Sequence, residues 1–314
     1  MVTRREFLTL AGVACAGGFS RRVAAVSTMR FGYAAITWGN DVPQAIEDIA
    51  AVGFRGIQLR AGDGTVTRYS ANPRALHDLL SQHHLELAVL SSGNLATDPA
   101  RERETLETHA KNAQFLKAAG GTHLQVIDER PKGRVLVADD YARVGRLLNE
   151  LGKRTTDAGV TLVYHHHMNS TGEKPHEVKA VLDAADRKHV RLLFDVAHYQ
   201  QGGGDPVAAI RQYREWIEVV HLKDVRDRSG GVGGSGGSTG PGGSGGSRGA
   251  ASNYEFVELG RGRVDLPGVF KALGEINFNK WAIVELDRVP AGSGTPRQSA
   301  EMNKKFIVAH GFAL

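Results

Sequence analysis

From Arg30 onward the chain repeats one pattern eight times: a short apolar, β-branched run between turn residues, then a longer stretch of helical period. The runs predict strands over Phe31–Ile36, Gly56–Arg60, Glu86–Leu90, His123–Ile127, Thr161–Tyr164, Arg191–Phe194, Glu218–His221 and Trp281–Glu285. The amphipathic stretches predict helices over Gln44–Val52, Arg74–His83, Glu102–Ala119, Tyr141–Ala158, His176–Ala184, Pro206–Trp216, Leu266–Glu275 and Pro296–Val308. Several start at Asp or Pro and stop at Gly, as at Gly53, Gly120 and Gly159. Alternating β and α units argue for a parallel sheet covered by helices. Eight strands is the number that closes such a sheet into a barrel. A doubly wound open sheet is the rival, but it would normally show a Gly-rich phosphate loop after an early strand, and none is present. The expected fold class is therefore α/β, a single (β/α)8 barrel over residues 28–314.

Two segments stand outside the repeat. Residues 3–8 read Thr-Arg-Arg-Glu-Phe-Leu, and a weakly apolar stretch follows from Thr9 to Phe19. This resembles a twin-arginine export signal, taken as residues 1–27, with cleavage near Ala25–Thr28 and a periplasmic destination. Cys15 follows Gly12-Val13-Ala14, where a lipoprotein box would place an aliphatic residue first, so lipid anchoring is not expected. The second segment, residues 229–250, is almost wholly Gly and Ser. Such a composition cannot bury enough surface to offset its chain entropy, and it predicts a disordered insertion after strand seven.

Composition closes off several function classes. Cys15 is the only cysteine, which excludes a disulfide framework and a thiolate metal site. No run of about 18 apolar residues occurs, so no stable membrane span is expected. The net charge of +5 sits mostly in the leader, where Arg4, Arg5, Arg21 and Arg22 face only Glu6. The rest of the chain carries no electrostatic footprint for nucleic acid. A homo-oligomer is neither implied nor excluded.

In a barrel of this type, chemistry sits at the C-terminal ends of the strands. Strand five ends at His165-His166-His167, strand six at Asp195, strand seven at His221 and strand eight at Glu285. Taken singly, a strand-end His is an ordinary hydrogen-bonding residue and a strand-end Asp often caps the next helix. Four neighbouring strands delivering ligand types at one level point instead to a divalent-metal site of His165, Asp195, His221 and Glu285. Imidazole with carboxylate suits Zn, Mn, Fe or Co better than Ca. Alternation places His165 and His167 on one face and His166 on the other. His165 is preferred as the ligand because it is nearer the last strand position.

At these residues the chain resembles the sugar phosphate isomerase/epimerase superfamily, the xylose isomerase-like TIM barrels, and within it the inosose dehydratase-like branch. The resemblance rests on five phrases in order: Ile36-Thr37-Trp38-Gly39-Asn40-Asp41, Tyr164-His165-His166-His167-Met168, Leu193-Phe194-Asp195-Val196-Ala197-His198, His221-Leu222-Lys223-Asp224-Val225-Arg226 and Phe256-Val257-Glu258-Leu259-Gly260-Arg261-Gly262. It covers residues 30–310 apart from the insertion. It implies one Mn, Co, Mg or Zn ion held by four strand ends, three of which carry over onto Asp195, His221 and Glu285. Two positions depart: His165 stands where epimerases have Glu, and Gln58 where many relatives have a strand-two Glu.

The departures bear on the reaction that the resemblance implies. Epimerases of this kind use two opposed carboxylates, and a metal-bound imidazole has no free lone pair to act as the second base. A one-sided reaction fits better: proton abstraction α to a carbonyl by Glu285, then β-elimination. His167, His198 and Lys223 are candidates to protonate the leaving oxygen. Trp38, Asn40 and Arg226 are candidate substrate contacts. The expected activity is a metal-dependent lyase or dehydratase on a keto-cyclitol or keto-sugar. A sugar (ketose) isomerase/epimerase is the alternative. A three-zinc endonuclease would need more ligands than Gln58, Ser91, Ser92 and Gln125 supply, and the ligand set argues against a non-enzymatic sugar- or metal-binding protein.

Overall fold

A computed structural model describes residues 29–228 and 253–314. The proposed leader and the Gly/Ser insertion lie outside the described residues. The strands, in chain order, are β1 (Arg30–Ala34), β2 (Gly56–Arg60), β3 (Glu86–Leu95), β4 (His123–Asp128), β5 (Thr161–His165), β6 (Val190–Asp195), β7 (Ile217–Leu222), β8 (Asp224–Asp227), β9 (Tyr254–Val257) and β10 (Trp281–Val284). All but β8 and β9 pair in parallel and close in the order β1-β10-β7-β6-β5-β4-β3-β2. The chain is a single (β/α)8 TIM barrel, as the alternation predicts, with β10 as its eighth strand.

The helices are α1 (Val42–Val52), α2 (Thr65–Tyr69), α3 (Pro73–Gln82), α4 (Glu102–Ala118), α5 (Ala138–Asp157), α6 (Pro175–Ala184), α7 (Val196–Gln201), α8 (Pro206–Gln212), α9 (Leu266–Glu275) and α10 (Pro296–Ala309). Local chemistry sets their ends. Asp41 caps α1 by accepting from the Gln44 N–H, and Gly53 ends it at φ 104°, where only glycine sits without strain. Three expectations change. The first strand stops at Ala34, because Ala35–Trp38 turn into a 3-10 helix. The expected helix to Trp216 stops at Gln212, because the Trp216 and Ile217 N–H groups bond back to the Tyr213 carbonyl and the chain enters β7 directly. Strand six runs to Asp195, one residue past the expected Phe194, and His198 follows on α7.

The strand interior explains why the site forms where it does. Strand side chains alternate between the two faces. Val163, Leu193, Val219 and Ile283 form an apolar layer inside the barrel, with Ala34, Ala88, Val89 and Trp281. Each of the first four lies two residues before His165, Asp195, His221 or Glu285. The same pleat that buries the apolar layer therefore aims the polar residues inward, one level higher. Small residues below make room: a Cβ on Gly56 would come 2.4 Å from the Trp281 ring. The outward strand faces pack on the helices in a second, larger core.

After β7 the chain makes a feature the alternation does not show. β8 and β9 pair antiparallel, Asp224 opposite Val257 and Asp227 opposite Tyr254. Asp224 anchors the base of this hairpin. Its buried carboxylate accepts from the N–H groups of Val225, Gly260, Gly262 and Val264. A Cβ on Gly262 would fall 2.1 Å from Asp224 Oδ1, so glycine there admits the close approach.

Candidate active site

The polar level above the apolar layer is a ring of buried donors and acceptors. Asp195 Oδ2 lies 3.6 Å from His165 Nε2 and 3.5 Å from His221 Nδ1. Glu285 Oε2 lies 3.5 Å from the same His221 nitrogen. His165 Nε2, Asp195 Oδ2 and His221 Nδ1 are fully buried and have no hydrogen-bond partner. Orphaned buried polar atoms are costly. Three of them facing one another, with Glu285 beside them, form a donor set of imidazole nitrogens and carboxylate oxygens that fits a divalent cation.

Asp195 serves two purposes with two oxygens. Its Oδ1 accepts from the N–H groups of Ala197 and His198, at 2.9 and 2.8 Å, and so caps α7. Its Oδ2 is left for the ring. The helix cap thereby fixes the carboxylate whose other oxygen faces the site.

Two glutamines tie the ring together from below. Gln58 Oε1 meets His221 Nε2 at 2.9 Å. Gln58 Nε2 donates to Glu285 Oε2 at 3.2 Å and to Gln125 Oε1 at 3.1 Å. Gln125 Nε2 lies 2.8 Å from His165 Nδ1. Gln58 was conspicuous in the sequence only as a departure from relatives, and Gln125 only as a strand-four polar residue. Their signal was an amide on the inward face of an otherwise apolar strand.

Lys223 points into the same ring and is fully buried. Its ammonium donates to Glu285 Oε1 at 2.9 Å and to Asp287 Oδ1, and it lies over the Phe256 ring at 4.0 Å. Burial alone would lower its pKa, but Asp287 and Glu285 outweigh burial and push it up. Burial would likewise raise Glu285, but His221 and Lys223 pull it down to about 2. Lys223 is thus a fixed cation that keeps Glu285 ionised. Asp287, which completes this pair, was not singled out from the sequence.

The other histidines line the ring on the β5 and β6 side. The loop carrying His167 is held by Asp128, which accepts from the Tyr164 hydroxyl and the Thr171 N–H. His167 Nδ1 bonds the Met168 carbonyl at 2.7 Å, so that nitrogen carries the proton. His167 and His198 pack ring to ring at 3.8 Å. Burial lowers His165 to about 4, and it also lowers His167 and His198. All three are neutral imidazoles near pH 7. His166, on the opposite face as alternation requires, accepts from the Asp195 N–H.

The structure therefore gathers His165, Asp195, His221, Glu285, His167, His198 and Lys223 into one place. The three candidate substrate contacts have other partners or face solvent. The Trp38 indole N–H donates to Asp48 on α1, and its ring packs edge-on against Tyr33. Asn40 is exposed in the turn before α1. Arg226 is exposed on β8 and paired with Glu255 of β9. Among the described residues none of the three hydrogen-bonds to the ring.

A closed (β/α)8 barrel with a buried imidazole–carboxylate ring at the C-terminal ends of its strands belongs to the barrel enzymes that work at that face. The family follows from comparison. The chain belongs to the xylose isomerase-like TIM barrel family, whose model matches residues 46–306. The inosose dehydratase of Lacticaseibacillus casei is 28% identical over 308 residues, covering 90% of this chain and 97% of that protein. The inosose dehydratase of Bacillus anthracis is 28% identical over 304 residues, with 90% and 97% covered. Among solved structures, the IOLI protein with a bound zinc atom superposes with a TM-score of 0.71 at 19% identity, covering 90% of this chain and 98% of that one. Membership in this family of enzymes is what the five phrases led one to expect, and this chain is an enzyme.

Proposed function

We propose that the protein is a divalent-metal-dependent lyase or dehydratase acting on a keto-cyclitol or keto-sugar. The observation that carries this reading is the asymmetry of the ring. Its Glu285 and Asp287 carboxylates lie together just past β10 with Lys223, whereas the end of β5 offers only imidazoles, His165 and His167. A two-base epimerase needs matched carboxylates on opposite sides of its substrate, and His165 occupies the second position. The family relationship to inosose dehydratases supports the same reading.

Asp195, His221 and Glu285, with His165 at their side, are the residues that would hold the ion, which when bound supplies Lewis-acid polarisation of a substrate carbonyl. The chain's own groups divide the proton work. Lys223 keeps Glu285 charged, which favours its use as a ligand over its use as a strong base. His167, with Nδ1–H fixed on the Met168 carbonyl, has Nε2 free to take the proton from carbon; the imidazolium so formed returns it to the leaving oxygen, directly or through His198 beside it, and both rings end neutral.

Export through the proposed twin-arginine signal would put this chemistry outside the cytoplasm, where a 3-keto-glycoside is a substrate of the right class and its aglycone the leaving group. The test is incubation of the metal-loaded protein with a keto-inositol and with 3-keto-glucosides, followed by ultraviolet detection of an enone. Enone formation is expected. Solvent deuterium entering an epimerised product without enone would overturn the lyase reading in favour of the epimerase one.

A further inference from the structure

The hydrogen-bond chain beneath the ring has a direction, and the direction decides which histidine can bind an ion. Glu285 Oε2 can only accept, so Gln58 must offer it Nε2 and must turn Oε1 to His221. His221 then carries its proton on Nε2 and presents a lone pair at Nδ1, the nitrogen facing Asp195 and Glu285. The same Gln58 Nε2 reaches Gln125, which must answer with Oε1. That leaves Gln125 Nε2 to donate to His165 Nδ1, so the His165 ring carries its proton on Nε2. These orientations are assigned from the network. Reversing both glutamines would set Gln58 Oε1 against the Glu285 carboxylate. Reversing Gln125 alone would set two amide NH2 groups against each other, 3.1 Å apart.

We infer that His165 is not an ion ligand but a hydrogen-bond donor. Its Nε2–H points at the ring beside Asp195 Oδ2, and the ion is held by Asp195, His221 and Glu285. Three protein ligands and one open position is the arrangement of catalytic rather than structural ions. An N–H fixed beside the open position is a donor for a substrate oxygen that gains negative charge. Gln125 is the positioning residue: it sets which nitrogen of His165 holds the proton. The inference rests on the metal-dependent reading above.

X-ray absorption of the zinc-loaded full chain counts imidazole ligands and provides the test. The count is expected to be the same in the wild type and in His165→Phe, and a count lower by one in His165→Phe would overturn the inference. The second variant is Gln125→Glu. A carboxylate there accepts from both Gln58 Nε2 and His165 Nδ1–H, moving the lone pair of His165 to Nε2. The imidazole count should then rise by one and zinc affinity by about tenfold or more, the scale on which such supporting partners act. An unchanged count in Gln125→Glu would also overturn it. If the wild type binds no ion at all, the metal-dependent reading fails instead, and stoichiometry by elemental analysis separates the two failures.

Discussion

Replacing Lys223 by Met tests whether the buried ammonium and the proposed ion share one charge balance. Lys223 is fully buried and its two strong partners are Glu285 and Asp287. Met keeps the length and apolar stem and removes the charge, leaving two carboxylates without their cation. Breaking a buried pair in this way costs about 3–5 kcal/mol. The lost contact with Phe256 adds about 1 kcal/mol or less. For a barrel of this size 1 kcal/mol moves the melting temperature by about 2–4 °C, so the metal-free variant should melt roughly 10 °C lower. A divalent ion entering the same ring replaces the missing positive charge. The variant should therefore bind zinc at least about tenfold more tightly than the wild type, a gain of about 1.4 kcal/mol. At zinc concentrations far above both dissociation constants the gap in melting temperature should narrow accordingly. Thermal unfolding followed by circular dichroism, with chelator and across a zinc titration, reads both quantities. Equal zinc-induced shifts in the two proteins would refute the shared balance, even if the variant is destabilised as expected.

Other expectations follow from other parts of the molecule. At the opposite end of the barrel, burial would raise the pKa of Glu218, but hydrogen bonds from His123 and Lys280 bring it from 4.5 down to about 2. Its stabilisation is then complete above pH 4.5 and is lost as pH falls toward 2. That shift corresponds to about 3 kcal/mol, nearer 2 once partial solvent exposure is discounted. Glu218→Gln should be less stable than wild type to urea by that amount at pH 7, with the gap closing toward pH 3; a gap independent of pH would refute the assignment. Residues 229–252 are spanned by the β8–β9 pairing, with the Arg228 N–H bonded to the Asn253 carbonyl. Replacing them with a two-residue Asn-Gly turn should raise the melting temperature by about 4–9 °C, since a loop about twelvefold shorter costs roughly 2 kcal/mol less chain entropy to close; an unchanged melting temperature would refute this.

The barrel and the ring were legible because both follow from a local rule. A two-residue period places Val163 and His165, Leu193 and Asp195, Val219 and His221, Ile283 and Glu285 on the same inward face. The same rule would have placed Lys223 and Asp287 inward, two residues beyond His221 and Glu285, and so made them partners. Reading Lys223 as an acid for the leaving group passed over that. The glutamine chain was beyond a local rule, because it depends on the register between β2, β4, β5 and β7. The β8–β9 hairpin was hidden because its strands are four residues each and a long Gly/Ser segment separates them in the chain. The carboxylate of Asp224 is shared among backbone groups up to Val264, and nothing near Asp224 in the chain signals that.

The apolar layer directly beneath the ring also shapes what this barrel can become. Val163, Leu193, Val219 and Ile283 hold the strands at their spacing whatever residue stands two positions further along. A substitution in the upper level changes ligands, charge or proton inventory without reopening the core that closes the sheet. His165 stands at one such position, and Gln125 below meets its ring through a single hydrogen bond. Descent within this fold can thus proceed by rewriting one ring of side chains at a time, each trial chemistry inheriting an intact scaffold.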